Sequence, residues 1–303
     1  RWCLHTHPPV PAVLVCDEYR MNVDHIMKNY DMDAHFKMTD IILAKDVVED
    51  IPSSIIKDAG VVFICGLHSH ERNIIVKYCV AHNIVSYVIP RIGDVIMSGA
   101  EKIQLFHLPM FMVHHYAPTP EYLFLKRLMD IILSLIAVVI FSPFMIVTAI
   151  AIKATDGGSI FYRQRRLTKD GKEFDVLKFR SMRMDAEKDG VARLSTGEND
   201  PRITKVGRII RAIRFDELPQ LLNILQGDMS IVGPRPERPE ISAQYEKDIP
   251  EWPLRLQCKC GLTGYAQVYG QYNTTPYDKL LMDLMYIARP SLAEDIKIIF
   301  GTV

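Results

Sequence analysis

Two adjacent acids, Asp216 and Glu217, carry the most pointed chemical signal in the sequence. They lie in Arg211-Ala-Ile-Arg-Phe-Asp-Glu-Leu-Pro-Gln220, directly after two arginines, Arg211 and Arg214. Pro219 is tolerated only in the first turn of a helix, and Leu221, Leu222 and Leu225 supply an apolar helical face that Gly227 ends. A helix is therefore expected to start near the pair, where its free N–H groups and positive end lower carboxylate pKa values and attract phosphate. Adjacent acids at a helix start are commonly no more than a cap, but clustered arginines change the weighting. Gly233-Pro-Arg-Pro236 follows a short apolar strand, and the two prolines flanking Arg235 would fix its guanidinium for phosphate or carbonyl recognition. Carboxylates and fixed guanidinium groups in one place suit phosphoryl transfer.

The elements upstream say where such a site would work. From Lys153 to Arg214 there are sixteen Lys or Arg against nine Asp or Glu, although the whole chain of 303 residues balances 36 basic against 36 acidic side chains. The excess fits either anionic lipid head groups or a substrate carrying several phosphates. Immediately before it, Ile131 to Ile152 is a run of 22 residues without a charge. A straight helix of that length would just cross a hydrocarbon core of about 30 Å. Ser142-Pro143 sits at its middle, where proline removes a helical N–H and bends the helix. Each half then covers about 15 Å and cannot cross alone. Lys126 and Arg127 before the run, and Lys153, Arg163, Arg165 and Arg166 after it, make both flanks basic. A re-entrant helix satisfies both flanks; a kinked spanning helix and a buried core helix are the alternatives.

Residues 10–115 alternate apolar runs with helix-like stretches. Strands are expected at Val13–Cys16, Val61–Cys65, Val85–Ile89 and Ile103–Leu108, with a helix over 69–82 that Asn83 stops. That alternation implies a parallel sheet covered by helices and resembles half of a Rossmann-like fold. A dinucleotide site needs a glycine-rich turn after the first strand, and Asp17-Glu18-Tyr19 stands there instead, which favours a structural or regulatory domain. Ala117-Pro-Thr-Pro120 reads as a linker. The six cysteines are scattered and read as reduced thiols; Cys258-x-Cys260 lacks a second pair, and His68-x-His70 and His114-His115 lack further ligands at metal spacing. No zinc-finger, RRM or helix-turn-helix signature supports a nucleic-acid partner. The chain opens at Arg1 and stops at Val303 after an apolar run, so further segments, including upstream transmembrane helices, are expected beyond its ends.

From Lys126 onward the sequence resembles the bacterial sugar transferases, the monotopic polyprenyl-phosphate phosphoglycosyl transferases. The matching stretches are Lys126-Arg127-…-Asp130, Ser142-Pro143, Phe161-Tyr-Arg-Gln164, Lys178-Phe-Arg-Ser-Met182, Asp216-Glu-Leu-Pro-Gln220, Gly227-Asp-Met-Ser230, Gly233-Pro-Arg-Pro236 and Gly261-Leu-Thr-Gly264, in the family's order. The chain departs from the family near Tyr269 and Gln271, where Asn and Arg are common.

The resemblance implies an α/β chain in two parts. Residues 1–118 would form a Rossmann-like regulatory domain, and 119–303 a mainly helical α+β catalytic domain anchored by a re-entrant helix near 126–153, broken at Ser142 and Pro143. It implies a two-step reaction using Mg²⁺. Asp216 attacks the β-phosphate of a UDP-sugar and releases UMP; a polyprenyl (undecaprenyl) phosphate lipid then takes the phosphosugar, initiating exopolysaccharide, capsule or O-antigen assembly. Asp216 and Glu217 are the expected catalytic and metal-binding residues, with Glu217 assigned to the metal or to proton transfer. Arg211 and Arg235, framed by Pro234 and Pro236, would bind phosphates or nucleotide, and Lys178 and Arg180 are candidates of the same kind. The implied location is the bacterial inner membrane with the catalytic domain on the cytoplasmic face, with UDP-sugar, polyprenyl phosphate and membrane as partners, no nucleic acid, and a homo-oligomer as an option. A non-catalytic scaffold for polysaccharide assembly is the competing reading, and the intact Asp216, Glu217, Arg211 and Arg235 oppose it.

Overall fold

The computed structural model describes residues 9–17, 35–43, 56, 58–116, 118–183, 200, 202–270 and 274–302. Cys3, Glu18, Tyr19, Ala117 and Gln271 lie outside them. The chain divides into two compact units, Arg1–Arg91 and Ile92–Val303.

In the first unit, β1 (Val10–Cys16), β2 (Phe36–Leu43), β3 (Val61–Cys65) and β4 (Val85–Val88) form one parallel sheet of order β2-β1-β3-β4. The central strands are apolar at consecutive positions because both their faces are covered. Val13, Val15, Val62 and Ile64 pack with Ile75 and Cys79 of helix α1 (Ser69–Ala81), while Leu14, Cys16 and Cys65 face the other side. Asn83 stops the helix as expected, in the left-handed region at φ 58°.

The expected strand at Ile103–Leu108 is a different object. The chain makes an antiparallel hairpin, β5 (Glu101–Leu105) and β6 (Leu108–Met112), after a short helix α2 (Ile92–Ser98), and all three belong to the second unit. The turn falls on Phe106 and His107, both at positive φ. Hairpin turns of this kind are usually signalled by Asn or Gly, so two bulky residues concealed it.

The second unit is a mixture of helices and short strands along one long apolar helix, α3 (Pro120–Asp156). Thr119 caps its start by accepting from the Tyr122 N–H, Pro120 occupies the first position, and Gly157 ends it in the left-handed region. Pro143 leaves the Val139 carbonyl without its helical donor, and the Ser142 hydroxyl donates to that oxygen at 2.8 Å, so the helix continues through the pair. By length and composition α3 is able to cross a membrane.

One stripe of α3 packs on the unit along nearly its whole length. Lys126 pairs with buried Asp295 at 3.1 Å, and Arg127 donates to the Ile224 and Leu225 carbonyls. Asp130 accepts from the Ile231 N–H, Ala137 and Val138 touch the Leu221–Ile224 core, and Met145 and Ala149 meet Phe179 and Ile210. The opposite face, including Leu135, Ile136, Val139, Phe144, Ile146, Val147 and Ile150, is exposed and apolar. Lys126 and Arg127, read from sequence as flanking charges, are therefore docking residues.

After α3 come the antiparallel strands β7 (Phe161–Leu167) and β8 (Glu173–Phe179), then α4 (Lys205–Ala212) and α5 (Gln220–Gln226). A parallel pair, β9 (Ser230–Val232) and β10 (Gly261–Thr263), brackets α6 (Pro239–Asp248). Helices α7 (Tyr265–Val268), α8 (Pro276–Ala288) and α9 (Leu292–Thr302) close a core around Trp252, Leu280, Leu284, Tyr286 and Ile298. The five described cysteines are free and buried.

Candidate active site

The acid pair sits in a short 3₁₀ turn, Phe215–Glu217, between α4 and α5. Arg214 turns the chain into it with φ 55°, a left-handed conformation that costs a non-glycine residue about 1–2 kcal/mol. Phe215 secures the turn by an edge-on contact with Phe141 in α3, ring centroids 6.1 Å apart. Helix α5 begins only at Gln220, with Pro219 just ahead of it and Gly227 ending it at φ 99°. The acids thus precede the helix rather than opening it. The expected lowering holds for Glu217, through side-chain cations in place of a helix end, and is corrected for Asp216, which burial raises.

Glu217 and Asp216 respond in opposite directions. Burial would push Glu217 up, but its Oε1 accepts from Arg235 at 3.0 Å and from Lys178 at 2.7 Å, and these two cations hold it at about 2. Asp216 is raised above its ordinary value because burial, reinforced by the Glu217 charge, outweighs the pull of Lys178 and Arg211. A carboxylate at about 2 is a poor proton acceptor near neutrality, so Glu217 acts as a fixed anion that orders two cations. The more basic Asp216 is the better nucleophile.

Both acids line a cavity of about 600 Å³ together with Lys178, Arg180, Arg211 and Arg235. The structure thus brings together all the predicted charged residues. Pro234 and Pro236 are buried behind Arg235 and do not line it. Their carbonyls anchor the loop: Pro234 O accepts from the Gly261 N–H at 2.9 Å, and Pro236 O from Arg166 at 2.9 Å. Gly233 and Gly261 are required by close approach, since a Cβ on Gly261 would lie 2.1 Å from the Gly233 nitrogen.

Several supporting residues escaped the sequence reading. Arg255 donates through Nη2 to the Arg235 carbonyl at 2.9 Å while Nε and Nη2 reach buried Asp283 at 2.8 and 2.6 Å, and its guanidinium lies 4.5 Å from the Trp252 ring centre. Asn223 joins α5 to β8, accepting from the Leu177 N–H and donating to the Asp175 carbonyl, both at 2.9 Å. That fixes the strand carrying Lys178 against the helix that follows the acids. Asn223 had a readable signal, an amide inside the apolar run Leu221–Leu225; Arg255 and Asp283 are far apart in sequence and had none.

Among the described residues no group of three or more His, Cys, Asp or Glu gathers for a metal. Mg²⁺ needs less, commonly one or two carboxylates completed by phosphate oxygens and water. Two hard carboxylates on one cavity wall fit that donor set.

Residues 121–303 match the family profile described as bacterial sugar transferase. The chain is 38% identical over 228 residues to a UDP-N-acetylgalactosamine-undecaprenyl-phosphate N-acetylgalactosaminephosphotransferase of Aeromonas hydrophila, covering 74% of this chain and 53% of the relative. It is 39% identical over 212 residues to a UDP-glucose:undecaprenyl-phosphate glucose-1-phosphate transferase of Escherichia coli, covering 68% of this chain and 44% of that protein. A Caulobacter vibrioides protein of the same description is 41% identical over 183 residues, 59% of this chain and 68% of its own length. The chain spans about half the length of the first two relatives.

Proposed function

The chain belongs to the bacterial sugar transferase family, and from that premise we propose that it transfers a sugar-1-phosphate from a UDP-sugar to undecaprenyl phosphate through a covalent aspartyl intermediate, for exopolysaccharide synthesis. One observation carries the reading. Asp216, raised in pKa, faces a cavity with Lys178, Arg211 and Arg235, while the adjacent Phe215 packs on Phe141 at the middle of the apolar helix. A nucleophile, phosphate-binding cations and an apolar anchor meet within a few residues.

In the first step an Asp216 carboxylate oxygen bonds to the β-phosphorus, the bond from that phosphorus to the bridging oxygen breaks, and UMP leaves with the oxygen. In the second, an oxygen of the lipid phosphate bonds to the same phosphorus, the acyl phosphate bond breaks, and Asp216 returns as carboxylate. Lys178, Arg211 and Arg235 offset charge on the diphosphate, and Glu217 keeps two of them aimed. Asp216 and Glu217 would hold Mg²⁺, whose charge would further offset that of the phosphates when bound.

We assign α3 to a re-entrant anchor at the cytoplasmic face of the inner membrane. A spanning helix needs about 20 residues free of a soluble domain. No stretch of α3 that long is free, since contacts recur from Lys126 to Ile152. Exposed Lys153, Arg163 and Arg165 follow the apolar run, in keeping with a cytoplasmic flank. The parallel sheet of the first unit is read as a Rossmann-like regulatory domain. Relatives of nearly equal identity are named for different sugars, N-acetylgalactosamine and glucose.

The test is incubation with UDP-sugars and Mg²⁺ without lipid acceptor. UMP release and a protein mass increase of one phosphosugar on Asp216 are expected, and Asp216→Asn should abolish both. Turnover persisting in Asp216→Asn rejects the assigned nucleophile.

A further inference from the structure

We propose that Gln267 is a specificity-determining residue of the active-site cavity, reading a neutral substrate group that presents a hydrogen-bond acceptor beside a donor. The inference rests on the nucleotide-sugar reading above. Gln267 is part of the same cavity wall as Asp216 and Arg235. Its Nε2 and Oε1 are both buried, and neither has a hydrogen-bond partner among the described residues. A buried amide with both ends unsatisfied is costly, and buried polar groups are paired in the great majority of cases. A purely structural position here would favour an apolar side chain.

Its surroundings explain why the protein does not satisfy it. The side chain leans toward Gly264, where a Cβ would stand 3.1 Å from Oε1, and glycine offers no side chain to bond with. Another amide of the cavity lining is already engaged, since Gln164 Oε1 accepts from Arg166 at 2.6 Å. Both atoms are closed to solvent in this conformation, so a ligand in the cavity would reach them by rotation about the terminal torsions of Gln267, exchanging an unpaired state for ligand hydrogen bonds.

A carboxamide offers one acceptor and paired donors on one edge, and its complement is a neutral group with adjacent acceptor and donor. In a UDP-sugar two places have it: the imide edge of the uracil base, and the sugar's hydroxyl or acetamido substituents. The cations at Asp216 and Glu217 suit the diphosphate between those two ends and leave either within the reading.

The experiment uses the full chain in detergent, with isothermal calorimetry for UMP, UDP-glucose and UDP-N-acetylgalactosamine, and melting curves without ligand. Gln267→Met keeps the length and removes both polar atoms; Gln267→Glu keeps acceptors and removes the donor. Both variants should bind UDP-sugars at least about tenfold more weakly, the loss of one or two hydrogen bonds. Gln267→Met should melt no lower than wild type, because no hydrogen bond to a described residue is lost. An equal drop for UMP assigns the contact to the base, and a drop confined to the UDP-sugars assigns it to the sugar. Unchanged affinity in Gln267→Met, or a lower melting temperature with unchanged affinity, overturns the inference while leaving the transferase reading intact. Wild-type protein that binds none of the three ligands overturns both.

Discussion

Glu217→Gln separates the role of a charge from the role of a shape. The variant keeps the size of the side chain and replaces the carboxylate that Lys178 and Arg235 share. Glutamate held at about 2 instead of its ordinary 4.5 is stabilised in the ionised form by about 3 kcal/mol, at about 1.4 kcal/mol per tenfold change in ionisation. Solvent screens part of that. The Glu217 and Lys178 side chains are only 16% and 20% exposed, but Arg235 is 44% exposed, which reduces the expected effect to about 2 kcal/mol. For a folded unit of this size that amounts to a fall in Tm of about 4–8 °C at pH 7.

The pH dependence is the discriminating part. A depressed folded-state pKa gives stability that is complete above the unfolded value and is lost as pH falls toward the folded one. The deficit of Glu217→Gln should therefore be full at pH 7, less than half as large by about pH 3, and gone only as pH falls below about 2. Differential scanning fluorimetry of the detergent-solubilised chain, wild type and variant side by side, reads it directly. A deficit of equal size at pH 7 and pH 3 would show that the loss is one of packing. No deficit at pH 7 would mean that burial cancels the two ion pairs.

The acid limb of UMP release should lie above 3.8, the ordinary aspartate value, because the burial that raises Asp216 makes its ionised, attacking form available only at higher pH; a stopped-flow pH profile with the limb at or below 3.8 refutes this. Asn223→Leu leaves the Leu177 N–H and Asp175 carbonyl unpaired, so it should cost about 2 kcal/mol and slow turnover through a displaced Lys178, measured by Tm and by kcat. Lys126→Met strands Asp295, whose side chain is 0% exposed, and should destabilise by about 3 kcal/mol, whereas adding Asp295→Leu to the same chain should recover most of the loss. Equal stability of the single and double variants would show that Tyr122 and Tyr286, whose hydroxyls donate to Asp295 at 3.1 and 2.8 Å, suffice to hold it.

How much of this was legible in the sequence depended on whether each signal was local. The strands around Val13 and Val61 and the helix stopped by Asn83 were readable because periodicity and a left-handed asparagine act over a few residues. At Ser142-Pro143 only the serine that satisfies the freed carbonyl was readable; the break expected there is absent, because that hydrogen bond lets the helix run on through the pair. The β5–β6 turn was not readable, since Phe106 and His107 stand where Asn or Gly usually signals such a turn. Asp216 and Glu217 were found as a pair, but the opposite directions of their pKa shifts were hidden. They depend on Lys178, 39 residues upstream of Glu217, and Arg235, 18 residues downstream. Lys126 and Arg127 were assigned to the wrong work, because sequence shows a charge beside an apolar run and does not show the carboxylate of Asp295 or the carbonyls at the end of α5.

The placement of the acids follows from the way the anchor is docked. Arg214 holds a conformation that costs free energy, and a conformation of that kind persists only when neighbours over-determine it. Here Phe215 is fixed by Phe141, one residue before Ser142-Pro143, and Asn223 fixes the other side of the turn through β8. Moving α3 by a fraction of a helical turn would therefore move Phe215, and with it the direction in which Asp216 faces the cations. The apolar helix is accordingly part of the geometry of the site as well as its attachment. Lengthening the anchor by one residue on the N-terminal side of Phe141 would rotate that ring by about 100° and misdirect Asp216 even in a protein that still binds membrane.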